Sequence, residues 1–283
     1  MIKVESLQFG YKKNFLFIKD MNFSVKEGEI FGFLGPSGAG KSTLQKILTG
    51  QLKNYGGYVN INGVEVREST QNFYEEIGID FEFPSLYEKM SAKENLQFFA
   101  SLYKKKGKSI EELLEKVGLE RDADKKVGIY SKGMKSRLNF IKALLHEPKL
   151  LFLDEPTSGL DPTNARIMKD IIFEEKAKGK TIILTTHNMY DAQELCDRVA
   201  FIVDGEIKAM DTPHNLIMKK GAAQVRYSWL EENIEKEASC RIDETGTETA
   251  LLELLAAGRI KTIHSGEPSL NDIFMEVTGR TLV

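Results

Sequence analysis

The stretch EIFGFLGPSGAGKST, residues 29–43, constrains the fold of this 283-residue chain more than any other. It reads as a buried apolar strand that leads into a glycine-rich turn and then into a helix. The turn matches the pattern G-x-x-x-x-G-K-[ST] at Gly35, Gly40, Lys41 and Ser42. A helix that starts directly after such a turn presents backbone N–H groups that together bind phosphate. The sequence therefore predicts a P-loop at the edge of an α/β sheet.

The P-loop pattern assigns separate roles to its side chains. Lys41 is predicted to reach the β- and γ-phosphates of a nucleotide, and the Ser42 hydroxyl is predicted to bind Mg²⁺. The backbone of the turn is predicted to bind the remaining phosphate oxygens. The predicted phosphate-binding residues are Gly35, Ser37, Gly38, Ala39, Gly40, Lys41, Ser42 and Thr43.

Acidic side chains follow a second apolar strand, in the stretch LLFLDEP. Phosphoryl transfer needs one carboxylate to hold the metal and another to orient and deprotonate the attacking water. We expect Asp154 in the first role, as a metal ligand, and Glu155 in the second. His187 ends the next strand, in TTH, at the edge where open α/β sheets bind ligands. We predict that it contacts the γ-phosphate, so Lys41, Glu155 and His187 are the predicted catalytic residues.

Further apolar, β-branched runs at 149–155, 180–186 and 198–207 alternate with helical patterns. Near-continuous apolar strands are typical of a parallel sheet that is covered on both faces. Glycine-containing turns in FSVKEGEIFGF and FIVDGEI predict antiparallel hairpins beside it. The segment 88–147 is mostly helical, and 221–283 reads as strand, strand, helix, strand, helix. The predicted fold is α/β, a P-loop NTPase core with an antiparallel β flank, an inserted helical subdomain and a small C-terminal α+β appendage.

Composition argues against several other classes of protein. The formal net charge is -3, which argues against a nucleic-acid-binding protein. The 2 cysteines, Cys196 and Cys240, stand far apart and predict buried thiols in a reducing compartment rather than a disulfide framework. No secretion signal and no apolar run long enough to cross a membrane is expected.

The order of these parts resembles the ATP-binding subunits of ABC transporters. In sequence order they are the P-loop, the inserted helices, YSKGM at 130–134, LLFLDEP, SGLD and TTH, and the resemblance covers residues 1 to about 215. It implies that ATP is the nucleotide and that the chain forms a homodimer with two ATP molecules between the subunits. It further implies that Ser131 and Gly133 bind the γ-phosphate of ATP held by the P-loop of the second subunit.

The same resemblance implies that Tyr11 stacks on adenine. It also places Glu82 in the loop that senses Mg²⁺ and contacts a membrane subunit. Glu82 stands where the family usually has glutamine, and Lys132 and Met134 stand where glycine and glutamine are commonest. YSKGM and the C-terminal stretch resemble the exporters of drugs and antibiotics that work with separately encoded membrane subunits.

The resulting prediction is an ATP-hydrolysing export motor on the cytoplasmic face of the cell membrane. It has an ABC-type domain at 1–220 and a small α+β domain at 221–283. The membrane partner is expected to be an integral transporter subunit, and nucleic acid is not an expected partner. The alternative is a soluble or regulatory ABC-type ATPase that acts on a ribosome, nucleic acid or membrane signalling complex. A simple GTPase is disfavoured, because no Asn-Lys-x-Asp-like motif is present.

Overall fold

The protein is described by a computed structural model that covers residues 1–12, 15–105, 107–220, 224–231, 234–266 and 268–279. The chain forms two compact units, Met1–Met210 and Asp211–Thr281. In chain order the strands are β1 Ile2–Phe9, β2 Ile18–Val25, β3 Ile30–Leu34, β4 Gly56–Ile61, β5 Val64–Glu65, β6 Ile77–Asp80, β7 Leu150–Asp154, β8 Thr181–Thr186, β9 Arg198–Val203, β10 Glu206–Asp211, β11 Gln224–Glu231, β12 Ile234–Arg241 and β13 Ile260–Gly266.

The helices differ widely in length. They are α1 Lys41–Leu48, α2 Gln71–Tyr74, α3 Ala92–Ala100, α4 Ile110–Lys116, α5 Lys132–Leu144, α6 Pro162–Ala177, α7 Met189–Leu195, α8 Pro213–Lys220, α9 Thr249–Ala256 and α10 Leu270–Thr278. Short 3₁₀ turns occupy Val66–Glu68, Glu120–Asp122, Val127–Ile129 and Ile242–Glu244.

The core of the first unit is a sheet in the order β10-β9-β3-β8-β7-β6. The strands β3, β7 and β8 are buried along their whole length, as their continuous apolar runs predict. In the parallel register, Leu34 pairs with Thr186, and Asp154 pairs with Thr185. The carboxyl ends of these three strands therefore lie at the same edge, and the loops that follow them can meet there.

A second, antiparallel sheet in the order β2-β1-β4-β5 flanks this core. Buried and exposed residues largely alternate along β1 and β2, as in a sheet with one solvated face. One of the predicted hairpins is wrong: the turn at Gly28, with φ of 72°, joins β2 of the flank to β3 of the core. A glycine turn marks a change of direction, but the strand partners depend on packing far along the chain. The other predicted turn, at Gly205, joins the neighbouring strands β9 and β10.

The helices α3, α4 and α5 form the insert between β6 and β7, as predicted. Local side-chain caps define where its helices begin. Ser91 and Glu94 form a capping box at α3, and Ser109 accepts a hydrogen bond from the backbone N–H of Glu112 at α4. Ser131 caps α5 in the same way, by accepting from the N–H of Met134.

Glu175 joins the insert to the core at the end of α6. Its side chain is fully buried, and the ammonium groups of Lys108, Lys178 and Lys180 lie 2.6, 2.8 and 2.5 Å from its carboxylate. Burial by itself would raise the pKa of Glu175, but the contacts with these three lysines outweigh it and lower the pKa to about 2. Since Lys108 precedes α4 and the other two follow α6, the carboxylate holds together parts that are distant in sequence.

The variant Glu175→Gln is expected to lower the free energy of unfolding by about 3 kcal/mol at neutral pH. Because the pKa is lower in the folded state, the stabilisation is complete above the unfolded pKa. It is lost as the pH falls from about 4.5 towards 2. Urea unfolding at a series of pH values measures this. Glu174→Gln, at a half-exposed carboxylate paired with Lys116, is the control and should cost less than about 1 kcal/mol. Equal losses in both variants would contradict the assignment.

The second unit holds an antiparallel sheet in the order β12-β11-β13, together with α8, α9 and α10. Its elements from β11 onward follow the predicted order of strand, strand, helix, strand, helix. A small apolar core joins the sheet to α9 and contains Val225, Tyr227, Cys240 and Leu251. The fold class predicted from the sequence is confirmed.

Candidate active site

A cavity of about 270 Å³ lies at the edge of the parallel sheet where β3, β7 and β8 end. The P-loop, the loop after β6 and the ends of β7 and β8 all reach it. Its lining residues are Phe17, Ser37, Gly38, Gly40, Lys41, Ser42, Thr43, Glu82, Asp154, Glu155 and His187. The structure thus brings together most of the residues that the sequence singles out, although they are spread over 150 positions.

The P-loop glycines are required by the backbone. Gly40, directly before α1, has φ of 113°, which side-chain-bearing residues rarely adopt. At Gly35 a Cβ atom would lie 2.1 Å from the carbonyl oxygen of Ile202, so only glycine permits this close approach to β9. The Lys41 ammonium donates hydrogen bonds to the carbonyl oxygens of Gly35, at 2.6 Å, and Pro36, at 3.1 Å.

Charged groups of both signs meet in the cavity. Burial raises the pKa of Asp154, and the neighbouring carboxylates of Glu155 and Glu82 raise it further, whereas a hydrogen bond from Thr185 and the charge of Lys41 oppose the rise. Burial lowers the pKa of Lys41, and the same three carboxylates act against that shift. Three acidic side chains around a single lysine favour the binding of an additional cation.

Backbone conformation directs Glu155 into the cavity. Its φ is +52°, in the left-handed region, so the chain turns sharply after β7. The carboxylate then accepts hydrogen bonds from the backbone N–H of His187, at 2.9 Å, and from the Thr186 hydroxyl, at 3.1 Å. The Nδ1 atom of His187 lies 2.7 Å from the same carboxylate. Glu155 is therefore held in one orientation by the residues that end β8.

The oxygen atoms in the cavity suit a magnesium ion. The Ser42 hydroxyl and the carboxylates of Asp154 and Glu82 are the kind of hard ligands that Mg²⁺ prefers. Within the described residues, no group of three or more His, Cys, Asp or Glu side chains forms a metal site of its own. A magnesium ion here would complete its coordination with phosphate oxygens and water, which is its usual habit in phosphate chemistry.

Other predicted residues lie outside the cavity lining. Tyr11 is exposed, and its hydroxyl is 2.9 Å from the Oγ1 atom of Thr43, beside the P-loop. Ser131 and Gly133 lie at the start of α5 and do not line the cavity of their own chain. Their roles towards a second subunit stay predictions, as does the stacking of Tyr11 on adenine.

Phe17 lines the cavity although no sequence pattern indicates that it does. Its ring centroid lies 5.8 Å from that of Tyr11, and a Cβ on Gly40 would be 3.7 Å from its ring. Phe17 directly precedes β2 in the flanking sheet, so it is close to the P-loop only after the two sheets pack. No phosphate-binding motif includes it, but an aromatic residue so close to Tyr11 in sequence is a usable signal.

Family models match most of the length of the chain. Residues 18–158 match the family described as ABC transporter. Residues 199–278 match the family described as ATP-binding protein DrrA1-3-like, C-terminal domain. Similar proteins include a fluoroquinolones export ATP-binding protein of Mycobacterium tuberculosis, which is 49% identical over 100% of this chain and 94% of the relative. A linearmycin resistance ATP-binding protein of Bacillus subtilis is 32% identical over 100% of this chain and 99% of the relative.

Solved structures with the same fold include an ATP-binding subunit of an ABC transporter. It is 31% identical, has a TM-score of 0.70, and the match covers 77% of this chain and 92% of that one. A dimeric ATP-binding cassette in a post-hydrolysis state, bound to ADP and Pi, is 26% identical. Its TM-score is 0.68, and the match covers 75% of this chain and 98% of that one.

Proposed function

Because this chain belongs to the ATP-binding proteins of the ABC transporter family and hydrolyses ATP, we propose that it is the motor subunit of a drug exporter. Lys41, Asp154 and Glu155 surround one cavity in a chain that matches an export ATP-binding protein over its whole length, and this observation carries the proposal. The exported compound is proposed to be a small organic molecule of the drug type, and fluoroquinolones are the first to test.

The hydrolytic step is assigned to groups that the cavity brings together. Lys41 places a positive charge against the β- and γ-phosphates of ATP, where negative charge develops in the transition state. Glu155 orients the attacking water and accepts its proton. Thr186 and His187 keep the Glu155 carboxylate in position for that transfer. His187 is also proposed to contact the γ-phosphate.

Magnesium is the proposed metal, and its ligands from this chain are Ser42, Asp154 and Glu82. When bound, Mg²⁺ would neutralise charge on the β- and γ-phosphate oxygens. Glu82 has an acidic group where the family usually has an amide, so it brings one more negative charge towards the ion. The three carboxylates around Lys41 support this assignment.

A homodimer that holds two ATP molecules is the proposed working form. In it, Ser131 and the N-terminus of α5 from one subunit complete the phosphate site on the P-loop of the other. The dimeric state of the similar cassette bound to ADP and Pi supports this arrangement. The proposed dimer also provides a function for the start of α5, which Ser131 caps and which does not line the cavity of its own chain.

A separate membrane subunit is the proposed partner, and the chain is proposed to bind it at the cytoplasmic face of the membrane. Among the described residues, no helix is long and apolar enough to span a bilayer. The export ATP-binding proteins that match the whole chain support a partner of this kind. The loop 81–87 and the helical insert are proposed to transmit the closure of the dimer to that partner.

Transport by inverted membrane vesicles tests the export function. Vesicles from cells that contain this chain and its membrane subunit should accumulate a fluorescent fluoroquinolone when ATP is supplied. Vesicles with the Glu155→Gln variant should not, although the variant protein is present in equal amount. Equal accumulation with both proteins would contradict the proposal. ATP hydrolysis that is unconnected to uptake of any tested drug would instead favour the regulatory alternative.

A further inference from the structure

A buried polar cluster links α5 to the loop that carries Glu82. Asn139 is 1% exposed and lies on the face of α5 that packs against the sheet. Its side-chain amide donates hydrogen bonds to the Asp80 carboxylate, at the end of β6, and to the carbonyl oxygen of Phe81, at 3.1 Å. Its Oδ1 atom accepts a hydrogen bond of 2.6 Å from Lys142. Both N–H donors of the amide and its carbonyl oxygen therefore have partners.

Lys142 extends the cluster along the same loop. Its ammonium donates to the carbonyl oxygen of Ser85, at 3.2 Å, and lies 4.8 Å from the centroid of the Phe99 ring. At the far end of the loop, Asn95 of α3 accepts from the backbone N–H of Tyr87, at 2.8 Å, and donates to its carbonyl oxygen, at 3.0 Å. Side chains from two helices therefore fix the loop 81–87 at its start, middle and end.

Asn139 is buried and Lys142 is half-buried on α5, where burial of a polar or charged side chain costs free energy. Their neighbours on α5 are apolar and buried, namely Leu138, Phe140, Ile141, Ala143 and Leu144. A buried amide or ammonium group is tolerated only where it makes good hydrogen bonds. Here most of those bonds go to the loop and to Asp80 directly before it. Because two of these three acceptors, at Phe81 and Ser85, are backbone carbonyl groups, the contacts fix the path of the chain as well as one side chain.

We propose that Asn139 and Lys142 are positioning residues, which hold Glu82 at the nucleotide cavity and tie its position to the helix that starts at Ser131. This inference rests on the proposed function. Glu82 follows Phe81, whose carbonyl oxygen is bound to α5, so a shift of α5 must displace Glu82. When the start of α5 meets the nucleotide of the second subunit, the same helix then adjusts the metal end of its own cavity. Displacements of about 1 Å are large on the scale of catalysis.

A double-mutant cycle tests whether these residues act through Glu82. Asn139→Ala would leave the Asp80 carboxylate without its donor and could prevent folding, so Lys142→Met is the main variant. It keeps the apolar stem beside Phe99 and removes the ammonium. We expect it to lower kcat about 10-fold with a change in KM for ATP of less than about 2-fold. In a Glu82→Ala background, the further loss should be less than about 2-fold. Fully additive losses would overturn the proposal.

A probe on the loop gives a readout that does not need ATP hydrolysis. Phe83 is 79% exposed, and both native cysteines are buried, so the Phe83→Cys protein can be labelled selectively with a fluorophore. Lys142→Met should lower the anisotropy of this probe, and Lys142→Arg should restore it. The control is Thr181→Val, which removes the acceptor of a partly buried hydrogen bond from the Gly28 N–H near the start of β8 and should leave the anisotropy unchanged.

The two measurements separate this inference from the proposed function. Equal anisotropy of the Phe83→Cys probe with and without Lys142→Met would overturn the inference, whatever the ATPase rate. A second outcome is that Lys142→Met lowers the anisotropy of the probe while Glu155→Gln leaves the rate of ATP hydrolysis unchanged. That outcome would overturn the proposed hydrolytic step and support the positioning of the loop. A loosened loop together with non-additive losses in kcat supports both.

Discussion

Replacement of Glu155 by glutamine is expected to lower the rate of ATP hydrolysis by about 10²–10⁴-fold while ATP binding is retained. The amide cannot accept the proton of the attacking water. The amide oxygen can still accept a hydrogen bond from the His187 backbone N–H, and the amide NH₂ group can donate one to the Thr186 hydroxyl, so the cavity keeps its shape. Since ATP is bound but not consumed, the variant should accumulate as an ATP-bound dimer.

Steady-state hydrolysis and size-exclusion chromatography in the presence of ATP and Mg²⁺ measure these two effects. The control is Glu174→Gln, which neutralises a half-exposed carboxylate on the surface of α6 and should leave both unchanged. Turnover by Glu155→Gln at the native rate would show that another group accepts the proton. A variant that loses both hydrolysis and ATP binding would point to a disturbed cavity instead.

Mixing two inactive variants is expected to restore hydrolysis. Lys41→Ala removes the positive charge that is proposed to face the phosphates, and Ser131→Arg places a bulky side chain at the start of α5. Each protein alone should retain less than about 1% of the native rate, because every site in its dimer is damaged. In the proposed dimer, the native Lys41 of the Ser131→Arg subunit faces the native Ser131 of the Lys41→Ala subunit, so a mixed dimer has one intact site. Random pairing then gives roughly a quarter of the native rate if the sites are independent.

A second mixture supplies the control for that experiment. A chain with both substitutions, added in equal amount to the native protein, should form mixed dimers in which both sites are damaged. The rate per native chain should then fall to about half. If the whole site lies within one chain, the two single variants do not rescue each other and the double variant does not inhibit. That result would overturn the proposed dimer.

The sequence predicts best what is encoded in a few adjacent residues. The P-loop and the pair Asp154 and Glu155 at the end of β7 have local physical causes, and the structure places each where the pattern indicates. The left-handed backbone at Glu155 is a different case. A strand-end turn is foreseeable, but nothing in the pattern gives its dihedral angles.

Contacts between distant segments are where sequence reasoning fails. Phe17 reaches the cavity through the packing of two sheets, and Asn139 meets Phe81 through the packing of α5 on the loop after β6. The glycine turn at Gly28 predicts a hairpin, but β2 and β3 belong to different sheets, because local chemistry does not determine which strand lies alongside β2. Such pairings depend on which faces pack together, and a single sequence encodes that only collectively.

The two ends of the strands in the parallel sheet have different roles: the carboxyl ends border the cavity, and the amino end of β8 lies beside Glu175. Lys41, Asp154, Glu155 and His187, which line the cavity, lie at or after the ends of β3, β7 and β8, whereas Lys180 directly precedes β8 and pairs with Glu175. The stability of the protein and its rate of ATP hydrolysis can therefore be engineered separately. Substitutions around Glu175 should raise or lower the resistance to unfolding without a change in turnover. Such variants would be useful for reconstitution with the proposed membrane subunit in detergent.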